Sequence, residues 1–113
     1  MGKRSRTKGY QYEREIVNWH RDMGIHAERV PLSGGAQYRN SNHDIDVYLR
    51  AEPNIHGDPN EPVPLCCEAK RRGEIPKWIK SWLGDNDALF MRDDHGETLV
   101  VLPAKTWARM VKR

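Results

Sequence analysis

The sequence predicts an α/β fold, a mixed β-sheet flanked by helices in the order αβββαββα. Three observations carry it: an apolar stripe at helical spacing near the N-terminus, two segments in the middle that read as a hairpin, and a second hairpin between two further helices.

The elements follow in order. From Gly9 to Met23, the apolar residues Tyr12, Ile16, Trp19 and Met23 recur at steps of four, three and four, which marks one face of an amphipathic helix, and Gly24 is placed to end it. Ala27 to Leu32 reads as a short strand containing a proline. Ser33-Gly34-Gly35 and the polar run to Asn42 form a loop, long for so small a chain and therefore open to a functional reading. His43 to Arg50 alternates, with Ile45, Val47 and Leu49 on one side and Asp44, Asp46 and Tyr48 on the other, as a half-buried strand does. A loop from Ala51 to Pro64 leads to a strand over Leu65 to Lys70, so these two strands form a hairpin with a long connection. Ile75, Trp78, Ile79, Trp82 and Leu83 repeat as a helix does, with Pro76 in an early position and Gly84 as a stop. Ala88 to Arg92, the turn Asp93-Asp94-His95-Gly96, and Thr98 to Leu102 form the second hairpin. Pro103 opens a last helix carrying Trp107, Met110 and Val111.

With 113 residues, the expected organisation is a basic N-terminal arm over 1–8 and one domain over 9–113. The N-terminus has basic residues without an apolar stretch behind them, and no run reaches membrane-spanning length, so neither a signal peptide nor a membrane partner is expected. Cys66 and Cys67 are adjacent, which makes a mutual disulfide geometrically difficult and gives no spaced Cys/His set for zinc. An intracellular, cytoplasmic setting is the simplest expectation. A net charge of +3 is weak support for a polyanionic partner, but the charge is segregated. Lys3, Arg4, Arg6 and Lys8 precede any acid, Lys70-Arg71-Arg72 form a block, and most acids lie elsewhere. That pattern suits a nucleic-acid face, and solvated termini explain it equally well.

Glu68-Ala69-Lys70 is an acid-x-lysine triplet on an expected strand, where period-two geometry points both side chains to one face. Sixteen acids and seven lysines in 113 positions supply about one such triplet by chance, so its context decides. Leu65-Cys66-Cys67 ahead of it is apolar, and charge at the end of a buried strand is costly unless paired or metal-bound. The preceding strand carries Asp44 and Asp46 on one face. Two carboxylates converging across the hairpin make an oxygen site suited to Mg²⁺, against the plain alternative of a surface salt bridge from Lys70. Glu13 lies at the edge of the first helix's apolar face, with Val17 and His20 on the same stripe, and can point inward. His43, one of five histidines without metal spacing, reads as structural or solvated. Trp78, Trp82 and Trp107 read as core, and Cys66 and Cys67 as small buried apolar residues.

Lys8-Gly9-x-x-x-Glu13-Arg14, the apolar helix to Gly24, and Arg29-Val30-Pro31-Leu32-Ser33 together resemble the N-terminal signature of archaeal-type Holliday junction resolvases. The resemblance spans 8–50 and 65–102 in element order, and Trp82 to Leu89 is also similar to short phage or bacterial relatives. It implies a restriction-endonuclease-like fold and a PD-(D/E)xK endonuclease that hydrolyses branched DNA, most simply a four-way junction, as a homodimer using Mg²⁺ or, in its place, Mn²⁺. By motif it implies catalytic roles for Glu13, Ser33, Asp44, Glu68 and Lys70. Asp46 competes with Asp44 for the aspartate position; Asp44 lies eleven residues after Ser33, nearer the family spacing. The metal set it implies is Asp44, Glu68, Glu13 and the Ala69 carbonyl. DNA contacts are expected from Lys3, Arg4, Arg6, Lys8, Arg29, Arg71 and Arg72. A related nuclease for flaps or nicks, and a DNA-binding module of the same fold that never cuts, are the alternatives; inward carboxylates speak against the latter.

Overall fold

The N-terminal apolar stripe forms a helix, and a longer one than the stripe marks. The computed structural model describes residues 3–30, 43–49 and 63–112, with the side chains of 3–8 excepted. Helix α1 (Lys3–Asp22) begins at Lys3 instead of Gly9. Nothing in Lys3-Arg4-Ser5-Arg6-Thr7-Lys8 breaks a helix, so the backbone of the basic arm is continuous with it. The end is where the sequence puts it: Gly24 takes a left-handed φ of 82°. Its N–H donates to Arg21 O and that of Ile25 to His20 O, both at 3.0 Å, the paired closure that a positive-φ glycine permits.

Strands β1 (His26–Arg29), β2 (Ile45–Tyr48) and β3 (Leu65–Cys67) form one antiparallel sheet in that order. The register pairs Ala27 with Val47 and Arg29 with Ile45, then Ile45 with Cys67 and Asp46 with Cys66. Alternation places Ala27, Ile45 and Val47 on one face, and α1 packs on β1 and β2. Val17, Met23, Ile25, Ala27, Ile45, Val47 and Pro64 are the buried apolar residues among those described. On α1 the stripe that turns inward is Glu13, Val17 and His20, at steps of four and three, with Val17 and His20 buried. His20 keeps its ring satisfied by donating Nδ1–H to Ile16 O at 2.8 Å. Because Ile45 is only 1% exposed at the centre of this sheet, Ile45→Ala should destabilise the protein by about 2–5 kcal/mol, read as a lowered urea midpoint at unchanged slope.

The remaining elements are α2 (Lys77–Leu83), β4 (Leu89–Met91), β5 (Leu99–Val101) and α3 (Ala104–Val111). β4 and β5 form the expected hairpin, closed at Gly96 N–H to Asp93 O. Pro76 and Pro103 stand at the N-caps of α2 and α3. One expectation is corrected here. Trp78 and Trp82 are 47% and 59% exposed instead of core, and pack edge-on against each other with centroids 4.9 Å apart. Two turns of helix with no buried residue cannot enclose two indoles; Trp107 is half-buried.

The described residues are thus mixed α/β, with three helices and two antiparallel sheets. Every strand pairing among the described residues is antiparallel. The described residues fall into two compact units, one running to Arg71 and one from Arg72 to Lys112. No helix among the described residues is long and apolar enough to cross a membrane.

Candidate active site

Asp44 stands just before β2, yet its backbone is already locked into the sheet. Its N–H donates to Cys67 O, and its carbonyl accepts from Val30 N–H, both at 2.9 Å. The ladder ends at the pair Ile45 and Cys67, and the Asp44 N–H to Cys67 O bond carries Asp44 alongside the end of β3, where Glu68 follows in the chain. The Asp44 carboxylate is aimed by a further bond, since Oδ2 accepts from the Ala69 N–H at 3.1 Å. β3 ends at Cys67, so Glu68 and Lys70 lie just past it, exposed rather than on a buried strand. There Lys70 Nζ is 3.1 Å from Glu68 Oε1.

The Lys70 ammonium is held above the ordinary lysine range, first by its hydrogen bond to Glu68 and by that carboxylate's charge, then by the charges of Asp44 and Glu13. Three carboxylates from three different elements therefore act on one ammonium. Glu13 reaches this end of the sheet from α1, its side chain only 19% exposed, with Oε1 3.5 Å from Arg29 Nη2. Arg29 is held in turn by the Tyr10 ring, its guanidinium carbon 4.0 Å from the centroid.

The structure thus brings Glu13, Asp44, Glu68 and Lys70 together at one end of the sheet. It separates Asp46 from them. Asp46 is 7% exposed, and its Oδ1 accepts the Nε2–H of His43 at 2.6 Å. At Ala69 the atom in use is the N–H, donated to Asp44. Ser33 lies outside the described residues, as do the side chains of Lys3, Arg4, Arg6 and Lys8. Arg29 is engaged with Glu13 and Tyr10, whereas Arg71 and Arg72 are exposed. Arg71 also lines a shallow cleft with Gln11, Arg14, Glu15 and Asn18.

Sequence reasoning missed one cluster. His43, Asp46 and Cys66 each offer a ligand atom, and these atoms all lie within 4.8 Å of one another. The sequence places Cys66 among apolar residues and His43 apart from any metal set; both thiols are in fact half-buried. The signal available was the hairpin register, which puts Cys66 opposite Asp46 once the strands are paired. Burial, helped by the nearby charges of Cys66 and Asp46, pushes the Cys67 thiol up, so it stays protonated at neutral pH.

The carboxylates of Glu13, Asp44 and Glu68 with Lys70 at this sheet end make an acidic, oxygen-rich cluster. Residues 4–52 match the family model of the archaeal Holliday junction resolvase (hjc), a stretch that contains Glu13, Ser33, Asp44 and Asp46. The resemblance read from the N-terminal motifs is borne out over that stretch, and it supports a Holliday junction resolvase-type nuclease, a hydrolase acting on DNA. No curated protein and no solved structure matches the chain.

Proposed function

We propose that this chain is a metal-dependent DNA endonuclease of the PD-(D/E)xK type, with a restriction-endonuclease-like fold, that hydrolyses phosphodiesters of four-way DNA junctions as a homodimer. The observation that carries this reading is that the Asp44 carboxylate accepts from the Ala69 N–H, between Glu68 and Lys70, which are themselves paired. Glu13, Asp44 and Glu68 outweigh the single charge of Lys70, and their donors are all oxygens, which fits a hard divalent cation such as Mg²⁺, or Mn²⁺ in its place. Asp44 and Glu68 would hold it, with Glu13 and the Ala69 carbonyl completing the set. When bound, the ion polarises the scissile phosphate and lowers the pKa of a water.

The chain's own groups do the positioning. Ala69 N–H keeps one Asp44 oxygen turned toward the Glu68–Lys70 segment and leaves the other for the cation. Lys70, charged across neutral pH, sits where it can offset the negative charge that builds on the phosphate. Arg29, gripping Glu13 from β1 and stacked on Tyr10, keeps that glutamate turned toward the sheet. Ser33 would hold a phosphate or a neighbouring strand. Arg71, Arg72 and the basic residues at the start of α1 would contact the DNA backbone, in an intracellular protein of phage or bacterial kind.

Labelled four-way junction, linear duplex and flap substrates, each with Mg²⁺ or with chelator, test this reading. Cleavage confined to the junction and to Mg²⁺ is expected. Cleavage of the flap alone moves the substrate assignment to another branched DNA, and binding without cleavage of any substrate contradicts the enzyme. Replacing Lys3, Arg4 and Arg6 by Gln keeps helix-forming residues while removing charge, and should lower the slope of log affinity against log salt by about 1 to 3. An unchanged slope would return these side chains to a solvated role.

A further inference from the structure

Two residues deeper in the hairpin than Asp44 and Glu68, a second group of ligating atoms converges that the hydrolytic reading does not use. Asp46 and Cys66 face each other directly across β2 and β3. His43 precedes them by a single turn of chain and folds back so that Nε2 lies 2.6 Å from Asp46 Oδ1. Its side chain is 3% exposed and that of Asp46 10%. The imidazole nitrogen, carboxylate oxygen and thiol sulfur all lie within 4.8 Å of one another. A tetrahedral zinc ion, with bonds of about 2.0–2.3 Å to such donors, spaces its ligands by distances of this order.

The chemistry of the set differs from that of its neighbour. Glu13, Asp44 and Glu68 offer only oxygen, the preference of Mg²⁺, whereas nitrogen, oxygen and sulfur together suit zinc and its borderline-soft relatives and do not suit Mg²⁺. A carboxylate taken out of water is costly to bury, and a cation compensates for it more fully than one imidazole does.

We propose that His43, Asp46 and Cys66 bind one zinc-class transition-metal ion, with a fourth position left for water. Loading releases the thiol proton of Cys66 to solvent and moves the imidazole proton of His43 from Nε2 to Nδ1, so that Sγ and Nε2 both bind the metal as bases. The ion ties the start of β2 to β3. Asp44 lies between His43 and Asp46 in the chain, so the same ion stiffens the segment that carries it. The binding itself stands apart from the nuclease reading; only this consequence for Asp44 rests on it.

The test is titration of the full, metal-stripped, reduced chain with Co²⁺. Expected are a thiolate-to-cobalt charge-transfer band and the strong visible bands of four-coordinate cobalt, saturating at about one ion per chain. Zn²⁺ displaces the cobalt and excess Mg²⁺ does not. Cys66→Ser and His43→Gln, checked as folded by circular dichroism, should weaken binding by about tenfold or more. Cys67→Ser should leave the spectrum unchanged, because Cys67 is paired with Ile45 on the other side of the strand. Absence of the thiolate band in the wild-type chain, or its survival in Cys66→Ser with loss in Cys67→Ser, overturns the proposal. Should Cys66→Ser not fold, the wild-type titration decides alone: a one-to-one thiolate band resistant to Mg²⁺ sustains the site, and its absence or displacement by Mg²⁺ refutes it. A chain without nuclease activity that still gives the cobalt spectrum would refute the proposed function and leave this site standing.

Discussion

Glu68→Gln and Lys70→Ala should each reduce junction cleavage by about 10²-fold or more, while junction affinity changes by no more than about threefold. Glu68→Gln keeps the size of the side chain and removes its charge, so a cation held there would lose a ligand and Lys70 loses its ion partner. Lys70→Ala leaves the three carboxylates in place and removes the positive charge that faces them. Both side chains are well exposed, at 58% and 73%, so neither change should unfold the protein, and exposed pairs of this kind add little stability. Loss of activity without a shift in the unfolding midpoint is therefore the signature of a chemical role. Lys70→Arg should retain part of the rate, because the nearby acids keep Lys70 an ammonium across neutral pH and its charge, not its deprotonation, is what the site uses. Single-turnover cleavage of an end-labelled junction, with gel-shift binding on the same substrate, reads both effects. Near wild-type cleavage by either Glu68→Gln or Lys70→Ala removes these residues from the site.

The two aspartates should part company. Asp44→Asn is expected to abolish metal-dependent cleavage and to leave the fold intact, because the amide oxygen can still accept from Ala69 N–H while the charge beside the Glu68–Lys70 segment is gone. Asp46→Asn acts elsewhere. It weakens the buried bond from His43 and should cost about 1–3 kcal/mol of stability, yet leave measurable cleavage. Its negative charge lies one strand repeat, about 6–7 Å along the chain, from Asp44, so its loss should also raise the Mg²⁺ concentration for half-maximal rate. A folded Asp46→Asn protein that is dead, beside an active Asp44→Asn protein, would show that the aspartate assignment is wrong by two residues.

Much of the positioning was legible in the residues, and the failures share a cause. Alternation in His43 to Arg50 identifies a strand, and the Asp44 and Asp46 side chains fall on one face in both sequence and structure. Alternation gives no depth, however. Asp46 is buried against His43 while Asp44 turns to Ala69, a difference set by how far β3 extends beside β2. Glu13 was readable from the stripe it shares with Val17 and His20, because helical spacing fixes which side chains turn inward. The Cys66 cluster was not, since ligands from two strands have no fixed separation in sequence until their register is known. The tryptophans of α2 have core spacing but are exposed, because periodicity reports a face and not whether anything covers it. The start of α1 was missed because a charged, polar run carries no apolar period to extend the helix back to Lys3.

On the reading proposed above, Asp44, Glu68 and Lys70 form a cation-dependent phosphodiesterase site for branched DNA. The most direct measurement incubates the purified chain and its Asp44→Asn variant with an end-labelled four-way junction, under Mg²⁺ and under chelator, and then treats the products with DNA ligase. On this reading, nicks are expected with wild-type protein and Mg²⁺ only, resealed by ligase because the hydrolysis would leave a 5′-phosphate and a 3′-hydroxyl. Cleavage that persists in chelator or in the Asp44→Asn protein, or a junction that the folded wild-type chain binds and never cuts, would contradict it.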